Sequence, residues 1–105
     1  MQCVYLIESN GKFKIGVTKD CPQKRLTQLQ TSAPDELNLI TVYKSDRAFK
    51  IEKSLHHLFS HKNCLNEWFD LNHCDIINFH DYCRGIEERF ELLETHNSWY
   101  QEHMM

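Results

Sequence analysis

Long apolar runs, paired cysteine motifs, low-complexity segments and a clear excess of positive charge are all missing from this 105-residue sequence. Each absence excludes a class. Without eighteen consecutive apolar residues there is no candidate transmembrane helix. The opening MQCVYLIESN enters a strand-like pattern directly, with no basic region and no small-residue cleavage site, so no signal peptide is expected. Five cysteines (Cys3, Cys21, Cys64, Cys74, Cys83) form no CxxC pair, and their odd number argues against a disulfide framework. Reduced thiols and an intracellular location are expected instead. The formal net charge of −3 is unlike that of a tight non-specific nucleic-acid binder.

What is present is one domain's worth of chain, 41% hydrophobic, with no internal repeat. Charge is unevenly spread. Residues 1–70 carry ten Lys or Arg against eight Asp or Glu, whereas residues 71–105 carry two against seven. A mildly basic body therefore precedes an acidic C-terminal segment, and any nucleic-acid contact should be local.

Two β-branched and aromatic runs, residues 3–8 and 13–18, flank Asn10-Gly11, the strongest short hairpin signal. With those two residues as the turn, Tyr5 opposes Gly16 and Ile7 opposes Lys14. Cys3, Tyr5, Ile7, Lys14, Gly16 and Thr18 then share one face, and Val4, Leu6, Phe13, Ile15 and Val17 form the core face. Asp20 followed by Pro22 and Gln23 predicts a helix to about Thr31, burying Leu26, Leu29 and Ala33 and closed by Pro34. Residues 37–43 predict a third strand. Ser45-Asp46 predicts the cap of a helix over 46–61, with Ala48, Phe49, Ile51, Leu55, Leu58 and Phe59 as its apolar stripe. A short extended piece over 67–71 and a helix over 75–94 follow, the latter burying Ile76, Phe79, Cys83, Ile86, Phe90 and Leu93. The expected class is α+β: a small antiparallel three-stranded sheet, hairpin plus one strand, flanked by helices and ended by a C-terminal helix.

Glu52 falls on the apolar stripe of its helix, where a carboxylate needs a base or a cation beside it. It is either a structural partner of Arg25 or Lys14, or a functional ligand. His56 shares that edge of the stripe one turn on. Tyr5 and Lys14 occupy diagonal positions on the hairpin face, with Gly16 leaving space opposite Tyr5. Arg25 flanks the stripe of its own helix. Cys64, His73, Cys74, His80 and Cys83 lie within twenty residues of one another, but they lack the tight paired spacing of structural zinc sites, and no zinc is expected.

The array Val4-Tyr5-Leu6, Lys14-Ile15-Gly16, Lys24-Arg25-Leu26, Glu52 with Leu55-His56 and Phe59, and Glu67-Trp68-Phe69 resembles the GIY-YIG endonuclease superfamily. It looks most like the short branch found in phage and large-virus proteins. The first motif reads CVY rather than GIY and the second KIG rather than YIG, and the family's late asparagine has no counterpart beyond two candidates, Asn66 and Asn72. The resemblance implies a nuclease core over 1–71; residues 72–105 lie outside it and are expected as an acidic helical extension packed on the same domain. It implies a DNA endonuclease using one Mg²⁺ or Mn²⁺. Tyr5 would help to activate water, Arg25 would steady the scissile phosphate, and Glu52 would bind the cation. Lys14 and His56 complete the expected catalytic set. DNA is the expected partner, with no membrane involved. The alternative is a weak or inactive module of the same fold, engaging nucleic acid or, through the C-terminal helix, a protein partner or a second copy.

Overall fold

A computed structural model describes the backbone of residues 2–104 and the side chains of residues 2–95. Strands β1 (Cys3–Ser9) and β2 (Lys12–Thr18) form the hairpin, with Ser9 opposite Lys12 across a two-residue turn. Asn10 and Gly11 adopt φ of 51° and 76°, the left-handed pair that such a turn requires. Tyr5 opposes Gly16 and Ile7 opposes Lys14, the register read from the sequence.

Helix α1 (Pro22–Ser32) follows, with Pro22 in its first turn and Cys21 rather than Asp20 at the cap. Strand β3 (Asn38–Lys44) pairs with β1 on the side away from β2. Helix α2 (Ala48–Leu58) is shorter than expected at both ends: Ser45 turns the chain before it, its Oγ accepting from the Arg47 amide at 3.0 Å, and Phe59 leads out of it into a 3₁₀ turn. After a 3₁₀ turn at Ser60–Lys62 come β4 (Asn63–Leu65) and β5 (Trp68–Phe69), then α3 (His73–Ile77) and α4 (Phe79–Met104).

The sheet corrects one expectation. It has five strands, in the order β3-β1-β2-β5-β4, not three. Asn66, at φ 52°, closes a second tight hairpin that brings Leu65 opposite Trp68 and lays β5 along Phe13 and Lys14 of β2. The predicted C-terminal helix is also two helices. A capping box, in which the Asn72 side chain accepts from the Asp75 amide and Asp75 accepts from the Asn72 amide, starts α3, and the chain breaks at Asn78.

Both faces of the sheet are covered. Val4, Leu6 and Ile15 meet Ala48, Ile51 and Leu55 of α2 and Phe79, Cys83 and Ile86 of α4. Tyr5 and Ile7 lie under Leu26 and Leu29 of α1 and Ala33 at its C-terminal cap, beside Trp68. The apolar stripes are narrower than expected. Phe49 and Leu58 stand about half exposed at the margins of α2, and Leu93 is exposed on α4, beyond the reach of the sheet. None of the described helices is long and apolar enough to cross a membrane.

Candidate metal and phosphate site

Strand β5 is only two residues long, so it covers β2 as far as Lys14 and no farther. The next residue, Ile15, therefore turns its outward amide and carbonyl to other partners. Its amide donates to the Glu67 carbonyl at 3.1 Å. Its carbonyl oxygen lies 2.8 Å from His56 Nε2. A carbonyl can only accept, so that nitrogen carries the proton. His56, edge-on to Phe69 with ring centroids 4.9 Å apart, thus supplies the donor that a longer strand would have given.

Around this open edge gather Glu52 and His56 from α2 and Glu67 from the turn before β5. One donor atom from each lies within 4.8 Å of the others. Glu52 Oε1 is 3.8 Å from His56 Nε2, whose proton goes to Ile15. Among the described residues, nothing donates a hydrogen bond to Glu52. Burial pushes its carboxyl above the usual range; the charge of His56 opposes this, Glu67 adds to it, and Lys14 opposes it.

Lys14 reaches the cluster from the opposite face of β2. Its Nζ is 2.5 Å from Glu67 Oε2 and 6.0 Å from the centre of the Trp68 ring. The Lys14 side chain is 13% exposed, against 42% for Glu67. Tyr5 lies across the hairpin. Its ring packs so closely over Gly16 that a Cβ there would fall 2.3 Å from the ring carbon bearing the hydroxyl and from the hydroxyl oxygen. The residue is 2% exposed, and among the described residues its hydroxyl takes part in no hydrogen bond. That oxygen lies over Gly16. Arg25 is half-buried on α1, the helix that covers the Tyr5 face, and forms no ion pair among the described residues.

Of the five residues singled out in sequence, Lys14, Glu52 and His56 meet at one edge, Tyr5 stands on the adjacent strand, and Arg25 comes from the covering helix. Glu67 was missed as a site residue. Its signal was the motif Glu67-Trp68-Phe69 itself, a carboxylate leading into an aromatic strand. The five-residue cysteine and histidine set does not gather. Cys83 is fully buried in the core, and His80 Nε2 is 2.6 Å from Thr41 Oγ1. A cavity of about 740 Å³ between α2 and α4 lies apart from this edge, with an apolar floor of Leu58, Ile86, Phe90 and Leu93.

A family model for the T5orf172 domain matches residues 2–87, from the start of β1 into the third turn of α4. The chain belongs to the T5orf172 domain family. This domain is associated with homing-endonuclease-like and GIY-YIG-like phage proteins, an association that suggests a nuclease-related or DNA-binding role. The match runs past residue 71, where the motif resemblance ends, and so takes in Phe79, Cys83 and Ile86 of the shared core. Neither the curated proteins nor the solved structures gave a match to the chain.

Proposed function

We propose that this T5orf172 domain is a metal-dependent endonuclease of the GIY-YIG type that hydrolyses DNA phosphodiester bonds. The observation that carries the reading is the convergence of Glu52, His56 and Glu67 at the uncovered edge of β2, beside Lys14. Two carboxylates this close, one of them half-buried and accepting no hydrogen bond, hold more negative charge than one ammonium offsets. That donor set fits a hard divalent cation. Glu52 would hold it, and Glu67 is within reach to join. When bound, the cation would supply charge neutralisation at the phosphate.

The chain's own groups divide the remaining work. His56 is committed to Ile15 and fixes the geometry of α2 against the strand edge. Lys14, on a flexible stem, offers up to three donors to phosphate oxygens. The Tyr5 hydroxyl is held by its buried ring over Gly16, where it can help to orient and activate water. Arg25, half-buried and without an ion pair among the described residues, can clamp the developing charge with its planar fork. DNA, Mg²⁺ or Mn²⁺ and an intracellular setting belong to this reading.

The test is incubation of the purified chain with supercoiled plasmid and Mn²⁺ or Mg²⁺, with and without chelator. Nicking or linearisation that chelator stops supports the reading. No cleavage under either metal would leave the second reading, a binding module of the same fold. That reading is favoured by the pairing of Glu67 with Lys14, which leaves one carboxylate of the site already neutralised.

A further inference from the structure

The pairing of Lys14 with Glu67 has a consequence for the order in which ligands bind. We propose that Lys14 is a resident counter-ion that holds Glu67 away from the cation until a phosphate diester draws the ammonium off, so that nucleic acid completes the metal site. The inference rests on the nuclease reading and adds to it a rule of assembly.

Three observations support it. The Lys14 ammonium and the site's cation would compete for one group, since Glu67 Oε2 is 2.5 Å from Nζ while Glu67 also lies within 4.8 Å of Glu52 and His56. A carboxylate cannot serve an ammonium and a divalent ion at full strength when the two cations repel at such short range. Lys14 is also able to leave. It is anchored in β2 opposite Trp68, and only its unbranched stem must turn for the ammonium to swing from the β5 side towards the Tyr5 hydroxyl over Gly16, two residues along the same face. Finally, Glu67 sits in a two-residue turn closed by Asn66, with its side chain 42% exposed. It has room to change partners, whereas His56 is fixed by its bond to Ile15.

In the free protein the cation is therefore held by Glu52 alone and weakly. A phosphate diester brings negative charge to Lys14, the ammonium transfers to it, and Glu67 turns to the cation. Because the coupling is reciprocal, the cation must strengthen nucleic-acid binding by the same factor. A nuclease built this way does not accumulate a fully armed site without substrate.

The test is Mn²⁺ binding, read by electron paramagnetic resonance on the full chain. It uses wild type, Lys14→Met, Glu67→Gln and the double variant, each with and without a duplex whose linkages are all phosphorothioate and resist cleavage. Mn²⁺ taken up by the duplex alone is subtracted, and circular dichroism checks that every variant is folded. Lys14→Arg, which keeps the charge and the block, serves as the second variant if Lys14→Met does not fold; it should behave as wild type without duplex. The expected result is that duplex tightens Mn²⁺ binding to wild type by roughly tenfold or more. Lys14→Met should bind nearly as tightly without duplex as wild type does with it, and Glu67→Gln should lose the gain in both backgrounds. If Lys14→Met tightens binding equally with and without duplex, simple repulsion explains it and the gate is wrong. A duplex-induced gain that survives in Glu67→Gln also overturns it. In either of those cases the nuclease reading still stands, provided that Glu52→Gln loses Mn²⁺ binding. No Mn²⁺ binding by any of the proteins, with or without duplex, overturns both.

Discussion

Glu52 and Asp75 are both withdrawn from water and both lie near a lysine, yet the fold treats them in opposite ways. Asp75 is held by everything around it. Lys62 Nζ donates to its Oδ2 at 2.5 Å, and the Asn72 amide donates to the same oxygen at 2.9 Å. Burial pushes its pKa up, but these donors and the charges of Lys62 and His61 outweigh that and leave it below the usual range. Glu52 receives no such donor, its nearest imidazole proton goes to Ile15, and it ends above the usual range. Glu87 resembles Asp75: it accepts from Ser45 and from Tyr43, whose hydroxyl burial and this acceptor together push to about 12. A carboxylate that the fold satisfies is part of the scaffold. One left unsatisfied at an open edge is available to a ligand.

The largest expected effect comes from Glu52→Gln. Removing the charge while keeping the shape should lower metal-dependent cleavage by roughly a hundredfold or more, as expected when several kcal/mol of charge stabilisation are lost. The fold should not suffer. Because the pKa of Glu52 is raised by folding, its contribution to stability is fully present below the ordinary carboxylate range and is lost as pH rises through the elevated value. At neutral pH the amide is then as well tolerated as the carboxylate. Plasmid cleavage run beside thermal melts at pH 7 checks both halves. A variant that melts far below wild type would make Glu52 scaffold, like Asp75, and collapse the contrast.

Asp75→Asn should do the reverse, leaving the site intact and weakening the fold by about 2 kcal/mol, the usual scale for losing a charged hydrogen bond at a buried position. The sign follows from the depressed pKa. Asp75 stabilises the protein above the ordinary aspartate range, and that contribution disappears as pH falls through its folded value. Urea melts between pH 3 and pH 7 should show wild type losing stability in acid more steeply than Asp75→Asn. Parallel curves for the two proteins would count against this account.

The two regions were not equally legible. The hairpin register was, because Asn10-Gly11 admits one tight turn and alternation fixes the faces. Glu52 stood out because helical phase put a carboxylate on the apolar stripe, between Phe49 and Leu55. Strands β4 and β5 were not legible as a pair: three and two residues carry no period, and all three of β4 are exposed. Missing that hairpin meant missing Glu67, whose place beside Lys14 depends on β5 lying along β2. Asp75 was hidden for a similar reason, since the phase of residues 76–93 suggested one helix and masked the capping box at Asn72. Periodicity reports which faces are buried, whereas turn residues such as Asn66 and Asn72 decide which chain segments meet.

Gly16→Ala probes the open edge without touching a charge. The added Cβ would fall 2.3 Å from the Tyr5 ring, and because that ring is buried under α1 it can move only by displacing Leu26 or Leu29. Overpacking of this kind costs about 1–3 kcal/mol. The Tyr5 hydroxyl should shift, and cleavage should fall about tenfold, a smaller loss than for Glu52→Gln because misplacement is milder than removal. Gly85→Ala on α4, where an added Cβ meets nothing within 4 Å, is the control and should stabilise by up to about 1 kcal/mol. Cleavage unchanged in a folded Gly16→Ala protein would remove Tyr5 from the mechanism.

His56→Gln should have the smallest effect, and it separates two roles for the imidazole. In this structure the His56 Nε2 proton goes to Ile15, so the ring positions α2 against the strand edge rather than offering that nitrogen to a cation. A glutamine amide can also donate to a carbonyl from this position in the helix, while the edge-on contact with Phe69 is lost. The expected cost is about 1 kcal/mol of stability, the scale of one hydrogen bond and one aromatic contact. Mn²⁺ affinity should fall less than tenfold, since the Glu52 oxygens remain. A ligand behaves differently, because its loss takes away a bond to the metal. If His56→Gln bound Mn²⁺ as poorly as Glu52→Gln does, the ring must turn its nitrogen from Ile15 to the cation on binding. His56 would then belong with Glu52 among the groups the fold leaves available, and the boundary between scaffold and site would pass between His56 and Ile15.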